Sequence, residues 1–299
     1  MKINSWLSAF RLRTLPLALS CIGMGSFLAA YSGEFDSTIF MLCVLTTVFL
    51  QILSNLANDY GDFINGADHA ERDGPSRAVQ SGAISIHSMR YAVIVFVILS
   101  FVSGISLLYV SFGWHWDSIL FFLGLGVLSI LAAITYTAGR KPYGYAGLGD
   151  ISVLLFFGLI GVVGSSYLFI KEINFSFILP AMSCGLFSVA VLNVNNIRDI
   201  NSDEKAGKLS IPVRIGREKA VYYHWGLILG GLLSAVIFTH LNFQSVYQWM
   251  FLLFIPLFIK NAIGVANNSE AEKLDPYLKQ MAIITLLFVI VFGVGLLIS

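Results

Sequence analysis

Residues 38–62 read TIFMLCVLTTVFLQILSNLANDYGD. The run is uncharged as far as Asp59, then ends on Asn55, Asn58, Asp59 and Asp62 within two turns. Crossing about 30 Å of hydrocarbon takes roughly 20 apolar residues in a helix. The stretch therefore predicts a membrane-spanning helix over 38–58 whose end carries a cluster of side-chain oxygens. Asn55 and Asp59 lie four residues apart, as do Asn58 and Asp62, while Asp59 and Asp62 lie three apart. On a helix those offsets bring the side chains to one face.

The same apolar length recurs at 14–31, 88–110, 117–136, 149–170, 176–196, 220–240, 246–266 and 279–298. Backbone polar groups must be satisfied within the chain inside lipid, so nine transmembrane helices are expected, not loops or open sheet. The short alternating strands of a barrel are absent from the pattern. Hydrophobic residues make up 57% of the chain and charged residues 12%, about half the charged share of soluble domains. The expected fold is an all-α integral membrane protein, one domain over 1–299, with nine helices around a central cavity. The N-terminal segment to Pro16 lacks a small-residue cleavage site and reads as an amphipathic entry helix, not a removed signal. Cys21, Cys43 and Cys184 show neither disulfide nor zinc spacing. The five His residues form no paired metal-binding spacing, and a net charge of +1 gives no reason to expect nucleic acid.

Charge fixes the expected orientation. With the N-terminal segment and the loops after even-numbered spans on one face, every Lys and Arg of the 18 falls there except Lys171. That count assigns Lys260 to the loop between the last two spans. The positive-inside rule then places the N-terminus and the long loops in the cytoplasm and the C-terminus on the opposite side. A multi-pass protein of the cytoplasmic (inner) membrane is expected, with its polar chemistry on the cytoplasmic face.

A second cluster follows the sixth run: NNIRDINSDEKAGK over 195–208. Asn195, Asp199 and Asp203 stand at successive four-residue steps, 140 residues after Asn55 and Asp59. The repetition reads as internal duplication, with two helices presenting similar ends to one cavity. A carboxylate at a helix centre costs about 2.5–3.5 kcal/mol on insertion scales, so four of them in register argue for a purpose beyond marking the water boundary. Carboxylate and amide oxygens suit hard cations, and Mg²⁺ is usually held by one or two carboxylates together with substrate phosphates. Asn55, Asp59, Asp62, Asp199 and Asp203 are the expected Mg²⁺ ligands, with a diphosphate between the clusters. Arg72, Arg77, Arg140, Lys141, Arg198 and Lys208 lie on the same face to meet phosphoryl or carboxylate oxygens. Asn58, Asn195, Tyr136 and Tyr143 complete the candidate substrate contacts. Arg140 and Lys141 sit in a glycine- and tyrosine-rich loop expected to cap the cavity, with Tyr143 packing on substrate.

SNLANDYGDFINGADHAERDGPSRAVQSG (54–82), YTAGRKPYGYAGLGD (136–150) and NVNNIRDINSDEKAGKLSIPVRIG (193–216) resemble the motifs of the UbiA superfamily of intramembrane prenyltransferases, and the resemblance covers essentially the whole chain. The DGPSRAVQSG tail and the RKPYGYAGLGD loop are most similar to the branch that acts on 1,4-dihydroxy-2-naphthoate. The first motif departs from the broader superfamily form, which has a third Asp four residues after the second: Gly66 stands there and Asp68 follows. The resemblance implies Mg²⁺-dependent transfer of a polyprenyl group from polyprenyl diphosphate to the naphthoate, with loss of CO₂ and diphosphate. Another aromatic acceptor such as 4-hydroxybenzoate is the alternative within the family. A secondary transporter is the alternative outside it, although transporters bind near the bilayer midplane and these clusters sit at helix ends.

The expected topology can be tested by single-cysteine labelling from each side of intact vesicles. Position 68 should react only from the cytoplasmic side; reaction from the opposite side would overturn the layout.

Overall fold

The computed structural model describes residues 3–65 and 77–299. Among the described residues nine helical spans are long and apolar enough to cross a membrane: Ile3–Tyr31, Ser37–Ile64, Ile86–Phe112, Trp116–Thr135, Gly149–Ile170, Phe175–Arg198, Arg217–Leu241, Val246–Asn267 and Ala271–Leu297. The sequence-derived runs fall inside these limits to within a residue or two, and the departures concern the ends. The first span begins as Ile3–Phe10, breaks at Arg11 in the left-handed region (φ 48°), and resumes through a 3₁₀ turn, Leu12–Thr14, into Leu15–Tyr31. The second span continues to Ile64, so the whole first acidic cluster is helical. Lys260, assigned above to a loop, instead lies exposed within the eighth span, seven positions before its end.

Helix ends are closed by local side chains. Asp36 accepts from the amides of Thr38 (2.7 Å) and Ile39 (2.9 Å) at the start of the second span, satisfying two of the four donors a helix N-terminus leaves open. Ser85 does the same for Ser88 (3.2 Å) in the third.

The core does not lie evenly among the spans. The sixth packs on the fifth, seventh and ninth, the ninth also on the first and eighth, and the second on the first, third and fourth. Phe187 stacks on Phe258 at 4.5 Å and meets Phe288 edge-on at 5.1 Å, and Phe251 and Phe292 extend the cluster. Much of the phenylalanine content thus fills the sixth-to-ninth-span interior, where centroid separations of 4.5–7 Å favour these geometries. The third and fourth spans keep long apolar side chains such as Ile98, Val102, Phe121 and Leu128 on their outer faces. From Leu154 to Gly164 the fifth span is wound as a π-helix, a form frequent at functional sites. Cys21, Cys43 and Cys184 are buried free thiols.

Small residues set the close crossings, as expected where helix association relies on packing. A Cβ on Gly25 would lie 2.7 Å from the Val162 carbonyl and one on Gly158 2.9 Å from that of Ala181, whereas Gly126 has nothing within 4 Å. Overpacking a close-fitted core costs about 1–3 kcal/mol. Gly25→Val should therefore lower the thermal midpoint in detergent, and Gly126→Ala should leave it unchanged or raised.

Candidate active site

Two cavities meet at the face that carries the N-terminal segment and the long loops. The larger, about 530 Å³, is polar; its walls include Arg11, Asn55, Asn58, Asp59, Asp62, Arg77, Tyr136, Asn195, Arg198 and Lys208. The smaller, about 290 Å³, is apolar and runs between the first five spans past Leu50, Ile105, Phe122 and Ile160. Gln51, Ser54 and Phe157 line both, so the two voids adjoin at these residues.

The second span delivers the first cluster. Asp59 is ion-paired with Arg11 and with Arg77 (3.2 Å), and Asp62 with Arg77 at 2.8 Å. Arg77 therefore joins both carboxylates, as the helical offset of three allows. Asn58 accepts from the Thr137 hydroxyl at 3.2 Å. Asn55 donates to the Phe10 carbonyl (2.9 Å) and the Thr14 hydroxyl (3.1 Å), fastening the N-terminal turn over the cavity. Its Oδ1 has a long 3.5 Å bond from Gln51. The glycine between the acids has its own reason: a Cβ on Gly61 would sit 2.6 Å from the Thr137 backbone, which crosses the helix there.

The second cluster is arranged differently from its sequence register. The sixth helix ends at Arg198, and Asp199 (φ −97°, ψ 12°) joins it to a short helix, Ile200–Lys205. The amide of Asp203 still donates to the Asp199 carbonyl at 2.8 Å, so the four-residue step survives the break. Arg198 forks onto Asp199 (2.8 and 2.9 Å) and donates to Asn195 Oδ1 (2.9 Å). Lys208 pairs with Asp203 at 3.2 Å. Burial works against the Lys208 charge, but Asp203, Tyr136, Asp62 and Asp199 outweigh it and raise its pKa. Burial likewise raises Asp203, only partly offset by Lys208.

The loop between the fourth and fifth spans is stitched to the segment after the second cluster. The Leu209 amide donates to the Tyr145 carbonyl (2.9 Å), and Arg214 to that of Ala146 (2.6 Å). Tyr145 is thereby placed to donate its hydroxyl to Asp62 Oδ1 at 2.9 Å. Burial and the neighbouring Asp62 charge raise its phenol pKa, so it remains a donor at neutral pH. Tyr136 borders the polar cavity, its phenol pushed up to about 12 by burial. Tyr143 meets Tyr136 edge-on at 5.4 Å but points its hydroxyl at Ala132 O and Ser152, beside the apolar cavity. Arg140 and Lys141 are exposed and do not line the polar cavity. Arg72 and Asp68 lie outside the described residues. Sequence reading missed Tyr145, Arg11 and Asp275, whose carboxylate pairs with Arg198 (2.6 Å) and Arg13 (2.8 Å).

Among the described residues no three His, Cys, Asp or Glu groups converge on one point; the acids alternate with cations. The donor chemistry nevertheless fits a hard divalent ion. Asp59 and Asp62 border the void, and Asp203 Oδ2 is buried with no hydrogen-bond partner among the described residues.

A bundle embedded in lipid that gathers carboxylates and cations at one mouth, with an apolar void leading away, has the layout of an intramembrane prenyltransferase. The model of the UbiA prenyltransferase family matches residues 18–286, and the chain belongs to that family. It is 46% identical over 100% of its length to 97% of the 1,4-dihydroxy-2-naphthoate octaprenyltransferase of Haemophilus influenzae. It is 44% identical over 100% of its length to 96% of the enzyme of that name from Escherichia coli. Two solved structures share the fold. A UbiA homologue from Aeropyrum pernix has a TM-score of 0.68 at 16% identity, covering 97% of this chain and 98% of that one. One from Archaeoglobus fulgidus, bound to GPP and Mg²⁺, has a TM-score of 0.60 at 18% identity, covering 97% and 100%.

Hydrogen bonds to charged groups contribute about 1.5–3 kcal/mol. Tyr145→Phe removes the Asp62 contact alone and should lower kcat/KM by about tenfold or more without altering thermal stability in detergent. Unchanged kinetics would assign the contact to loop packing.

Proposed function

We propose that this chain transfers a polyprenyl group from polyprenyl diphosphate to 1,4-dihydroxy-2-naphthoate, releasing diphosphate and CO₂ and giving the quinol form of demethylmenaquinone. The observation that carries the donor half is that a polar and an apolar cavity adjoin at Gln51, Ser54 and Phe157. A prenyl diphosphate has one highly charged end and one apolar tail, and this pair of voids matches both. The acceptor half is supported by full-length relatives named as 1,4-dihydroxy-2-naphthoate octaprenyltransferases, which do not favour 4-hydroxybenzoate or transport.

Asp59, Asp62, Asp199 and Asp203, with Asn55, would hold Mg²⁺, a reading supported by the Mg²⁺-bound homologue. When bound, the ion supplies Lewis-acid stabilisation of charge on diphosphate oxygens. Arg77, Arg198 and Lys208 face the same charge as fixed cations in a poorly solvated site, where such groups count most. As the allylic C–O bond breaks, its electron pair leaves on diphosphate. The apolar void keeps water from the allylic cation. The ring carbon bearing the carboxylate forms the new C–C bond, and loss of CO₂ returns the C–C electron pair to the ring. Because CO₂ leaves where a proton otherwise would, that step needs no protein base. The charge asymmetry supports a cytoplasmic-membrane enzyme whose site faces the cytoplasm.

Purified protein in detergent, given Mg²⁺, labelled prenyl diphosphate and a panel of acceptors, should prenylate the naphthoate with equimolar CO₂ release. EDTA or Asp199→Ala should abolish turnover. Transfer only to another acceptor would refute the naphthoate assignment, and full turnover in EDTA the metal assignment.

A further inference from the structure

Asp275 is the fifth residue of the ninth span, one before Pro276 and 72 positions beyond Asp203, and belongs to neither acidic motif. Its two oxygens are divided between two cations: Oδ1 accepts from Arg198 Nη1 at 2.6 Å and Oδ2 from Arg13 Nη1 at 2.8 Å. Arg198 is buried, its side chain 4% exposed, while Asp275 retains 28%. Nε and Nη2 of Arg198 hold Asp199 and Asn195, and Nη1 holds Asp275. A guanidinium is a rigid planar fork with five N–H groups. Four are used by these bonds, and the fifth shares Nη1 with the Asp275 contact.

Three acceptors on three sides fix the plane of a group that lines the polar cavity. Without Asp275, the Asp199 fork still anchors one edge, but Nη1 loses its stop and the plane can swing about that edge. Asp275 also meets Arg13, in the turn that Asn55 fastens from the opposite side. The N-terminal turn therefore spans the cavity, joined to the first cluster by Asn55 and Arg11 and to the second through Arg13 and Asp275.

We propose that Asp275 is a positioning residue of the transfer site: it aims Arg198 Nη1 at diphosphate oxygen and ties the N-terminal turn to the second cluster. This rests on the function proposed above for the cavity.

The test uses full-length protein in detergent and reads inorganic diphosphate binding by calorimetry with Mg²⁺ present, alongside the kinetics of both substrates. Asp275→Asn keeps the shape but weakens both ion pairs. It should weaken diphosphate binding and raise KM for prenyl diphosphate by about tenfold, one charge-assisted contact, with KM for the acceptor within twofold of wild type. Arg13→Gln should give a smaller loss, and none further in the Asp275→Asn background. Lys273→Ala breaks an exposed pair with Glu270 (2.7 Å) on the same turn and should match wild type. Wild-type diphosphate affinity and KM in Asp275→Asn would overturn the proposal, as would equal losses for both substrates accompanied by a lower thermal midpoint. Weaker diphosphate binding in Asp275→Asn, in a wild-type protein that prenylates no naphthoate, would uphold the positioning role and refute the proposed reaction instead.

Discussion

Five carboxylates and five cations share one mouth of this bundle: Asp59, Asp62, Asp199, Asp203 and Asp275 against Arg11, Arg13, Arg77, Arg198 and Lys208. Removing one partner from a buried ion pair costs several kcal/mol, because the other is left uncompensated. The chain therefore cannot place either set without the other. The acids come from the second span, the segment just after the sixth and the start of the ninth, the bases from the first span, the end of the sixth and the loops. That interleaving joins segments far apart in sequence and determines where each helix must end.

The loops follow from this constraint. Arg11 reaches Asp59 from a left-handed residue, a conformation that a non-glycine side chain adopts at some cost. Asn55 offsets it by bonding the Phe10 carbonyl and the Thr14 hydroxyl on either side of the break. Across the cavity, the loop after the fourth span is fastened by Leu209 and Arg214, which puts the Tyr145 hydroxyl on Asp62. Each tie is modest alone; their value lies in holding largely buried charged groups in fixed positions around the polar cavity.

The spans were legible because hydropathy reports length directly, and the acidic register because residues three and four apart share a helix face. What sequence spacing could not show is pairing across the bundle. Arg11 and Arg13 read as topology signals, yet they bond Asp59 and Asp275 from 48 and 262 residues away. Tyr145 was one aromatic among several in a glycine-rich loop, and only the course of the neighbouring strand of chain at Leu209 selects it over Tyr143. Arg140 and Lys141, chosen for their charge and setting, lie exposed. Asp199 reads as a continuous helical position, but the break there turns Asp203 back onto Lys208. The π-wound turn of the fifth span has no distinct apolar period and was invisible.

That π-wound segment links the charge constraint to the bilayer. It contributes Phe157 to both cavities and Ile160 and Gly161 to the apolar one. The phenylalanine cluster stiffens the sixth-to-ninth-span half, where the second acidic cluster is held. The third and fourth spans, packed on the second and otherwise turned to lipid, form the opposite wall. A rigid half carrying charge beside a half in contact with acyl chains lets a polar headgroup be gripped while its tail remains among apolar side chains. The first span packs on both the second and the ninth and so joins the two halves. Asp59 and Asp62 line the polar void from the end of the same helix whose Gln51 and Ser54 border both voids, so charged headgroup and apolar tail are met by one span.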